Sequence, residues 1–377
     1  MLKGRELAKF REQLLDWFRQ FQRDLPWRRT KDPYRIWLSE IMLQQTRVTA
    51  VIPYYERFLE RFPNVQALAE APQDEVLRLW SGLGYYSRAR NLQKAAQQIV
   101  AKHGGKFPRT AEDMLALPGI GAYTAAALLS IAFDERHAVL DGNVARVIAR
   151  LAAVRGDLCE ASRWQTLQKN ADALLSLDSP GDWNQAMMEL GATLCTPKSP
   201  QCLLCPVSPF CEARRLGVTE VLPEKRKKRA TVEVTLAAAV FRDPSGRTLL
   251  LPPPRRSQKT AEANDVPTLV SRMWHFPTVA IVKDALPELR KFLTALVPSA
   301  SQRAVHLEPL KKVRHAVTYR AVTVLAFRIA VKKLPTIRGA KTLTLDDFST
   351  LPISNLTLKV ARVALTATGA APDAHAK

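Results

Sequence analysis

The chain has 377 residues, too many for one typical domain, and its 47% apolar content is enough for two packed cores. Its 56 Lys and Arg residues outnumber 35 Asp and Glu residues, and the resulting net charge of +21 favours nucleic acid over a membrane or an acidic small molecule as partner. The sequence has no apolar run long enough to cross a bilayer and no apolar leader after its first residues. We therefore expect a cytoplasmic DNA-handling protein without a targeting signal. A basic surface that only aids solubility is the alternative.

The first half of the chain is predicted to consist of short helices. Apolar residues in the stretch 7–21 fall at helical intervals, and repeated prolines interrupt the segments that follow. Thr110 predicts an N-capped helix that ends near Leu117, and a second helix should begin after Gly121.

The turn between these two helices, residues 117–121 (LPGIG), has the pattern of a helix-hairpin-helix motif. Gly119 and Gly121 let backbone amides approach a phosphate closely, and the following helix would turn its positive end toward that anion. A tight connection without a ligand is the alternative. Asp141, 20 residues further on, precedes another predicted helix and should cap it. Beside a groove that receives DNA, the same carboxylate is well placed to face positive charge developing on a sugar.

Four cysteines with the spacing C-x6-C-x2-C-x5-C indicate a metal site. Thiolates gathered this closely in a chain expected to be intracellular favour a metal over disulfides, with ordinary buried thiols as the alternative. The wide outer gaps and the lack of a second C-x2-C favour a structural [4Fe-4S] cluster over zinc. The residues are Cys195, Cys202, Cys205 and Cys211.

Residues in or near this loop could also contact DNA. Lys198, Arg214 and Arg215 lie in or just beyond it, where they could face a phosphate backbone. The remaining cysteine, Cys159, stands alone and is predicted to be a small core residue.

A second domain of mixed α/β type is predicted after the charge run at residues 224–229 (EKRKKR), which is typical of a solvated linker. Strand-like stretches at 232–241 and 248–251 flank a turn, and 317–329 is another such stretch. We expect the domains and connecting segments to be 1–221, 222–230 (linker), 231–368 and 369–377 (disordered tail).

Several of these stretches together resemble the adenine DNA glycosylases of the MutY type, which are helix-hairpin-helix glycosylases. The resemblance implies an all-α helix-hairpin-helix glycosylase domain with a [4Fe-4S] cluster loop, followed by a Nudix-like α/β domain. It rests on the four cysteines and on residues 25–28 (LPWR), 37–47 (WLSEIMLQQTR), 82–91 (GLGYYSRARN), 117–124 (LPGIGAYT) and 141–143 (DGN).

The resemblance also implies a set of catalytic residues. Glu40 matches the acid that protonates the leaving adenine, and Asp141 matches the carboxylate that stabilises the oxocarbenium charge. Glu40 lies on an otherwise apolar predicted helix, where desolvation would raise its pKa, although an exposed helix glutamate is the alternative. Tyr123 stands where lyase-competent relatives of the endonuclease III type carry a nucleophilic lysine, so we expect a monofunctional glycosylase. Tyr123 could orient water or Asp141, and Asn143 completes the predicted catalytic set.

Base recognition is assigned by the same resemblance. Gln45 and Tyr85 match wedges that fill the gap left by an extruded base. Trp27, Arg28 and Gln185 match positions that line the adenine pocket, although a Trp beside a snorkelling Arg is equally common in ordinary packing. The other predicted DNA-recognition residues are Thr46, Leu83, Gly119 and Gly121.

The C-terminal domain resembles the Nudix-like module by which this family detects 8-oxoguanine opposite adenine. The sequence has no Nudix box, so we expect recognition and no pyrophosphohydrolase activity. Residues 313–315 (VRH) represent the family's Phe-Ser-His recognition loop and keep only its histidine. Arg314 and His315 are the candidates to contact the damaged base.

The predicted function is therefore the removal of adenine paired with 8-oxoguanine or guanine in double-stranded DNA, leaving an abasic site. We expect a monomer in the cytoplasm, associated with the nucleoid if the host is bacterial. One alternative is an endonuclease III-like glycosylase for oxidised pyrimidines, which Tyr123 and the second domain disfavour. Another is a non-catalytic DNA-binding iron-sulfur protein, which the presence of both Glu40 and Asp141 in intact motifs disfavours.

Overall fold

The computed structural model describes residues 2–224, 230–253, 266, 270, 273–297, 306–317, 319–348 and 350–366. Most of the predicted linker run, 225–229, and the predicted tail, 369–377, lie outside these residues. The chain divides into two compact units, one comprising Met1–Ala71 and Arg90–Lys228 and the other Pro72–Ala89 and Arg229–Lys377. Among the residues described, no helix has the length and apolar character needed to cross a membrane.

The first unit consists of helices. Two helical segments, α5 and the first residues of α6, belong instead to the second unit. The helices are α1 Gly4–Phe21, α2 Pro33–Leu43, α3 Val48–Arg61, α4 Val65–Glu70, α5 Gln73–Leu79, α6 Ser87–His103, α7 Ala111–Leu115, α8 Ala122–Phe133, α9 Gly142–Leu151, α10 Ala161–Leu174, α11 Pro180–Thr193 and α12 Glu212–Arg215.

Helix α8 forms the centre of the first unit. Its residues from Thr124 to Ile131 are all buried, as expected for a helix that is apolar on every face. Helices α2 and α11 pack against it, and α11 also packs against α9. This arrangement brings Glu40 on α2 and Asp141 at the start of α9 to the same region of the unit.

The predicted helix-hairpin-helix pair is confirmed. Thr110 Oγ1 accepts the backbone N–H three residues further on and caps α7, and α8 begins directly after Gly121. Helix α7 ends at Leu115, two residues before the predicted end. Gly119 has a φ of +81°, and a Cβ there would lie 2.8 Å from Cβ of Asn91, so the turn requires glycine.

The second unit contains a mixed sheet with strands in the order β3-β1-β6-β4, to which β5 adds by pairing with β6. Strands β1 and β6 are parallel, with Leu236 opposite Val324, and the remaining pairs of this sheet are antiparallel. Strands β2 and β7 form a separate antiparallel pair. The elements are β1 Val232–Arg242, β2 Arg247–Leu250, β3 Thr278–Ala280, α13 Ala285–Leu296, β4 Glu308–Pro309, β5 Val313–Val317, β6 Arg320–Ala330, β7 Lys341–Thr344 and α14 Asn355–Thr366.

Strand β1 contributes to two cores because its successive side chains point to opposite faces of the sheet. Leu236 and Ala238 belong to one core together with Val360 of α14. Ala237 belongs to the other, together with Leu289 of α13. The sheet therefore lies between two helices. The predicted fold class, an all-α domain followed by a Nudix-like α/β domain, is confirmed.

The predicted strand-like stretch 317–329 is confirmed over residues 320–329, which lie in β6, whereas Val317 is the last residue of β5 and pairs with Arg320. Composition does not mark this division, because β-branched residues occur on both sides of it. One local prediction is wrong. Cys159 is exposed, not a core residue, because it lies in the turn before α10, where its backbone N–H donates to Asp157 Oδ1 at 2.9 Å.

Candidate active site

A cleft of about 680 Å³ in the first unit brings together most of the residues predicted for catalysis and base recognition. Leu83 and Tyr85 belong to the second unit, as do Arg314 and His315 on β5, and Gly119 and Gly121 are not among the residues that line the cleft. The predicted residues that do line it are Trp27, Arg28, Glu40, Gln45, Thr46, Tyr123, Asp141, Asn143 and Gln185.

Glu40 is the buried acid of the cleft, and only 6% of it is exposed. It lies near the end of α2, where residues 36–42 are all buried, and its Oε2 accepts a hydrogen bond from the Tyr123 hydroxyl at 2.5 Å. Burial raises the pKa of Glu40 to about 7; the Tyr123 hydrogen bond lowers it, the Asp141 charge raises it and the Arg28 charge lowers it. Near neutral pH, Glu40 is therefore able both to hold and to release a proton.

Tyr123, in the first turn of α8, remains a neutral phenol. Burial, and then the nearby charges of Glu40 and Asp141, raise the pKa of its hydroxyl well above the usual range. The hydroxyl also lies 3.2 Å from Sδ of Met188. Tyr123 can thus donate a hydrogen bond to Glu40 without competing for its proton.

Asp141 is the N-cap of α9, as predicted. Its Oδ1 accepts the backbone N–H groups of Asn143 at 2.9 Å and Val144 at 2.7 Å, and its Oδ2 accepts Nδ2 of Asn143 at 3.0 Å. Backbone N–H groups at a helix start carry partial positive charge and stabilise a carboxylate there. The cap holds an anionic oxygen at the edge of the same cleft that contains Glu40.

Arg146, one turn further along α9, connects the cap to two other segments. Its guanidinium donates to Asn143 Oδ1 at 2.9 Å, to the Gly191 carbonyl at 2.7 Å and to the Cys195 carbonyl at 2.8 Å. A Cβ at Gly191 would lie 2.8 Å from Cβ of Asn143, so glycine allows α11 to approach the cap this closely. The buried cation therefore joins the start of α9, the end of α11 and the cysteine loop.

Glu189 is a cleft residue that the sequence analysis missed. Its side chain is 1% exposed and accepts hydrogen bonds from Arg23 at 2.7 and 2.6 Å and from Arg28 at 2.8 Å. Although burial raises its pKa, the hydrogen bonds and charges of Arg23 and Arg28 lower the pKa of Glu189 to about 2. Its position four residues after Gln185 on α11 places both on one helix face, and this spacing was the available signal.

The four predicted cluster ligands, Cys195, Cys202, Cys205 and Cys211, line one small cavity. Arg150 Nη1 lies 3.3 Å from Cys195 Sγ, and backbone N–H groups approach the sulfurs of Cys205 and Cys211. Four thiols with N–H donors beside them fit a [4Fe-4S] cluster. Within the described residues, no three His, Cys, Asp or Glu side chains form a group that could hold a single metal ion.

The basic residues predicted beside this loop are exposed. Lys198 and Arg214 are both open to solvent, and so is Arg215, which pairs with Glu212 of the same helical turn at 2.5 Å. Their exposure leaves them accessible to an anionic partner.

Both predicted wedges have unusual backbone conformations. Gln45 has a φ of +56° and Tyr85 a φ of +49°, values that cost a non-glycine residue about 1–3 kcal/mol. The Tyr85 side chain is 44% exposed, with the Arg88 guanidinium 5.4 Å from its ring. The adjacent Tyr86 is instead a core residue and is 3% exposed.

Arg314 and His315 lie in an edge strand, not in a loop as predicted. Arg314 is opposite Thr323 and His315 is opposite Val322 of β6, since this segment completes a β-hairpin. Burial and then the charge of Lys359 lower the pKa of His315, which favours its neutral form.

The fold and the cleft define the class of protein. Residues 38–171 match the family model described as "HhH-GPD superfamily base excision DNA repair protein". A solved structure of a thermostable thymine-DNA glycosylase superposes with a TM-score of 0.51 at 30% identity, over 56% of this chain and 97% of that one. The chain is thus a helix-hairpin-helix protein of the base excision repair class.

Comparison with curated proteins identifies the family within this class. The chain is 36% identical to the adenine DNA glycosylase of Mus musculus over 408 residues, which cover 95% of this chain and 78% of that protein. It is 35% identical to the adenine DNA glycosylase of Homo sapiens, over 95% of this chain and 74% of that protein. The chain belongs to the adenine DNA glycosylase family.

Proposed function

We propose that the protein hydrolyses the N-glycosidic bond of adenine paired with 8-oxoguanine or guanine in duplex DNA and leaves an abasic site. The proposal rests on the position of Glu40, a buried carboxyl group with a pKa of about 7. It lies in the same cleft as Asp141, the N-cap of α9. Adenine release needs a proton donor and an anion, and this cleft contains a candidate for each.

The two carboxyl groups have different roles in the proposed reaction. Glu40 donates its proton to a ring nitrogen of adenine, and the electron pair of the glycosidic bond leaves with the base. Asp141 stabilises the positive charge that develops on the deoxyribose. Water then adds to C1′ and returns a proton to the Glu40 carboxylate, which restores the starting state. Tyr123 and Asn143 hold the two carboxyl groups through their hydrogen bonds.

Adenine must leave the base stack to reach this cleft. Trp27, Arg28 and Gln185 line the cleft and supply an aromatic face, a cation with N–H donors, and an amide that both donates and accepts. Gln45 and Thr46 lie at its edge. Adenine offers ring nitrogens as acceptors and an exocyclic amine as donor, which these groups complement.

The wedges and the hairpin are proposed to bind the remainder of the duplex. Tyr85 fills the gap beside the base opposite adenine, since an exposed ring stacks on a base at a gain of about 1–3 kcal/mol. Leu83 is 7% exposed and is proposed to support this wedge from below the surface. The backbone amides at Gly119 and Gly121 bind a phosphate, because the start of α8 has no side-chain cap.

A monofunctional reaction is proposed from Tyr123. A lyase reaction requires an amine that forms a Schiff base with the sugar, and the phenol of Tyr123 cannot form one. The product is therefore an intact strand with an abasic site.

The cysteine loop is proposed to hold a [4Fe-4S] cluster as a structural clip. Burial raises the pKa of the Cys205 thiol to about 12, so binding of the cluster would have to displace its proton. Cys195, Cys202, Cys205 and Cys211 would hold the cluster, which would supply a structural cross-link of the loop beside the exposed Lys198 and Arg214.

Recognition of the opposite base is proposed for Arg314 and His315. A neutral His315 both donates and accepts hydrogen bonds, and Arg314 is exposed and donates to an acceptor or a phosphate. We propose that the protein acts as a monomer in the cytoplasm, at the nucleoid in a bacterial host.

Single-turnover base release tests this function. Duplexes with adenine opposite 8-oxoguanine, guanine or thymine should be compared with one that contains thymine glycol. We expect rapid release with the first two and strand breaks only after alkali. Release of thymine glycol without release of adenine would instead identify an endonuclease III-like enzyme.

A further inference from the structure

The turn that carries Tyr85 is fastened to the C-terminal α/β fold by three hydrogen bonds. Ser81 Oγ and Tyr86 Oη both donate to the backbone carbonyl of Ile353, each at 3.1 Å, and Asn355 Nδ2 donates to the Gly82 carbonyl at 3.3 Å. All of these residues belong to the second unit, although more than 260 residues separate the partners in sequence. We call this set of contacts the clasp.

The acceptor of the clasp is fixed by the sheet domain. Ile353 is 2% exposed in the core formed with α14, and its backbone makes a parallel bridge with Trp274. On the other side, Tyr86 is 3% exposed, and its hydroxyl accepts the Gly82 backbone N–H at 3.4 Å. The Ile353 carbonyl is thus fixed by the C-terminal core, and it accepts hydrogen bonds that order the turn containing Ser81 and Tyr86.

Tyr85 lies between the residues that the clasp fixes. It has a φ of +49° and is 44% exposed, although its neighbour Tyr86 is almost fully buried. A non-glycine residue stays in this conformation only where the surrounding structure determines it strongly. The clasp provides such contacts on both sides, through Ser81 and Tyr86.

We propose that Ser81, Tyr86 and Asn355 are positioning residues that hold Tyr85 ready to enter the DNA stack. The C-terminal fold then supports the wedge directly, in addition to any contact it makes with the opposite base. This inference rests on the proposed function, because it assigns Tyr85 to insertion into DNA.

A double-mutant cycle with Tyr85 tests the clasp. The variant Ser81→Ala/Tyr86→Phe removes both donors to Ile353 and keeps the buried ring. Insertion is measured by 2-aminopurine fluorescence at the position next to 8-oxoguanine, together with single-turnover adenine release. The variant also loses the hydrogen bond that the Tyr86 hydroxyl accepts from the Gly82 N–H, and the loss of these three hydrogen bonds should reduce both signals about tenfold in the wild-type background. In a Tyr85→Ala background, the same changes should have less than about a twofold effect.

Two controls separate positioning from general stability. Tyr34→Phe removes another buried tyrosine hydroxyl, which donates to the Phe62 carbonyl at 2.8 Å in the first unit, and should leave the insertion signal unchanged. Ser81→Thr keeps a hydroxyl and should restore most of the signal that Ser81→Ala loses.

Two outcomes would overturn the clasp: equal losses in both Tyr85 backgrounds, or no loss in either. The fluorescence signal requires only DNA binding. A wild-type protein that inserts but releases no adenine would therefore refute the proposed function while the cycle still tests the clasp.

Discussion

Glu40 shows how neighbouring groups set the properties of a single carboxyl group. Burial is the largest influence and raises its pKa, while the Tyr123 hydroxyl partly opposes it by hydrogen bonding to the ionised form. With a pKa of about 7, a general acid is both populated and effective near neutral pH.

This balance predicts a pH dependence of base release. Glu40 must be protonated to act, so the rate should be high below pH 7 and fall as the pH rises through its pKa. Tyr123→Phe removes a hydrogen bond that stabilises the carboxylate, so the pKa of Glu40 should rise and the falling limb should move to higher pH. Single-turnover rates across neutral pH measure this shift. A limb that stays in place or moves to lower pH would contradict the assignment.

Glu189 is predicted to matter for both stability and catalysis. Glu189→Gln leaves two arginines without their buried anion, which typically costs about 3–5 kcal/mol, and releases Arg28 from its fixed position in the cleft. Urea unfolding and base release should both show the loss. The control is Asp24→Asn, which removes the exposed partner of Arg29 and should cost less than about 1 kcal/mol. Equal unfolding midpoints for the two variants would refute this role.

Single residues differ in how far the sequence predicted them. The capping role of Asp141 was predictable because a cap residue before an apolar helical pattern is a local signal, and the burial of Glu40 because a lone acid interrupts an apolar helix. Their catalytic roles were implied by the family resemblance. Glu189 was missed because its partner Arg23 is 166 residues away in sequence. A glutamate in a helix without a known partner is ordinarily predicted to be exposed.

At the level of elements, helix α9 depends on Asp141 for its N-cap as well as for the proposed chemistry. Asparagine is nearly as good a cap as aspartate, whereas alanine is not. Asp141→Asn should therefore keep the melting temperature and lose most base release. Asp141→Ala should lose activity and also about 1 kcal/mol of stability. Thermal melting beside single-turnover assays separates the two effects, and an active Asp141→Asn enzyme would rule out a need for the charge.

Helices were predicted more accurately than strands because their boundaries are marked by local signals. Thr110, Gly121 and Asp141 each mark a helix start in the sequence. The division between β5 and β6 has no such mark, since strand-forming residues occur on both sides of it. The position of β6 depends on its pairing with the parallel strand β1 and on burial against α14, which are non-local.

At the level of the whole molecule, the charge of +21 predicts strongly salt-dependent DNA binding. A protein that neutralises six to ten phosphates loses about 1,000- to 100,000-fold in affinity between 50 and 200 mM salt. Titrations of undamaged duplex over this range should show a slope of that size. A nearly flat dependence would mean that the excess charge lies away from the DNA-binding surface.

The length of the chain and the charge run predicted two domains. They did not predict which segments of the chain make up the second unit. Pro72–Ala89 groups with the C-terminal residues through contacts such as Ser81 with Ile353. These contacts join segments that are distant in sequence, and neither segment has a pattern that predicts the other. The boundaries at 221 and 231 therefore remain predictions.

The most direct test of proton donation by Glu40 is the single-turnover rate of Glu40→Gln on adenine opposite 8-oxoguanine, measured beside its DNA affinity. The amide keeps the shape of the side chain but has no acidic proton. We expect base release to fall by about 100- to 10,000-fold with unchanged DNA affinity. A variant that binds DNA normally and releases adenine at a near wild-type rate would contradict this role.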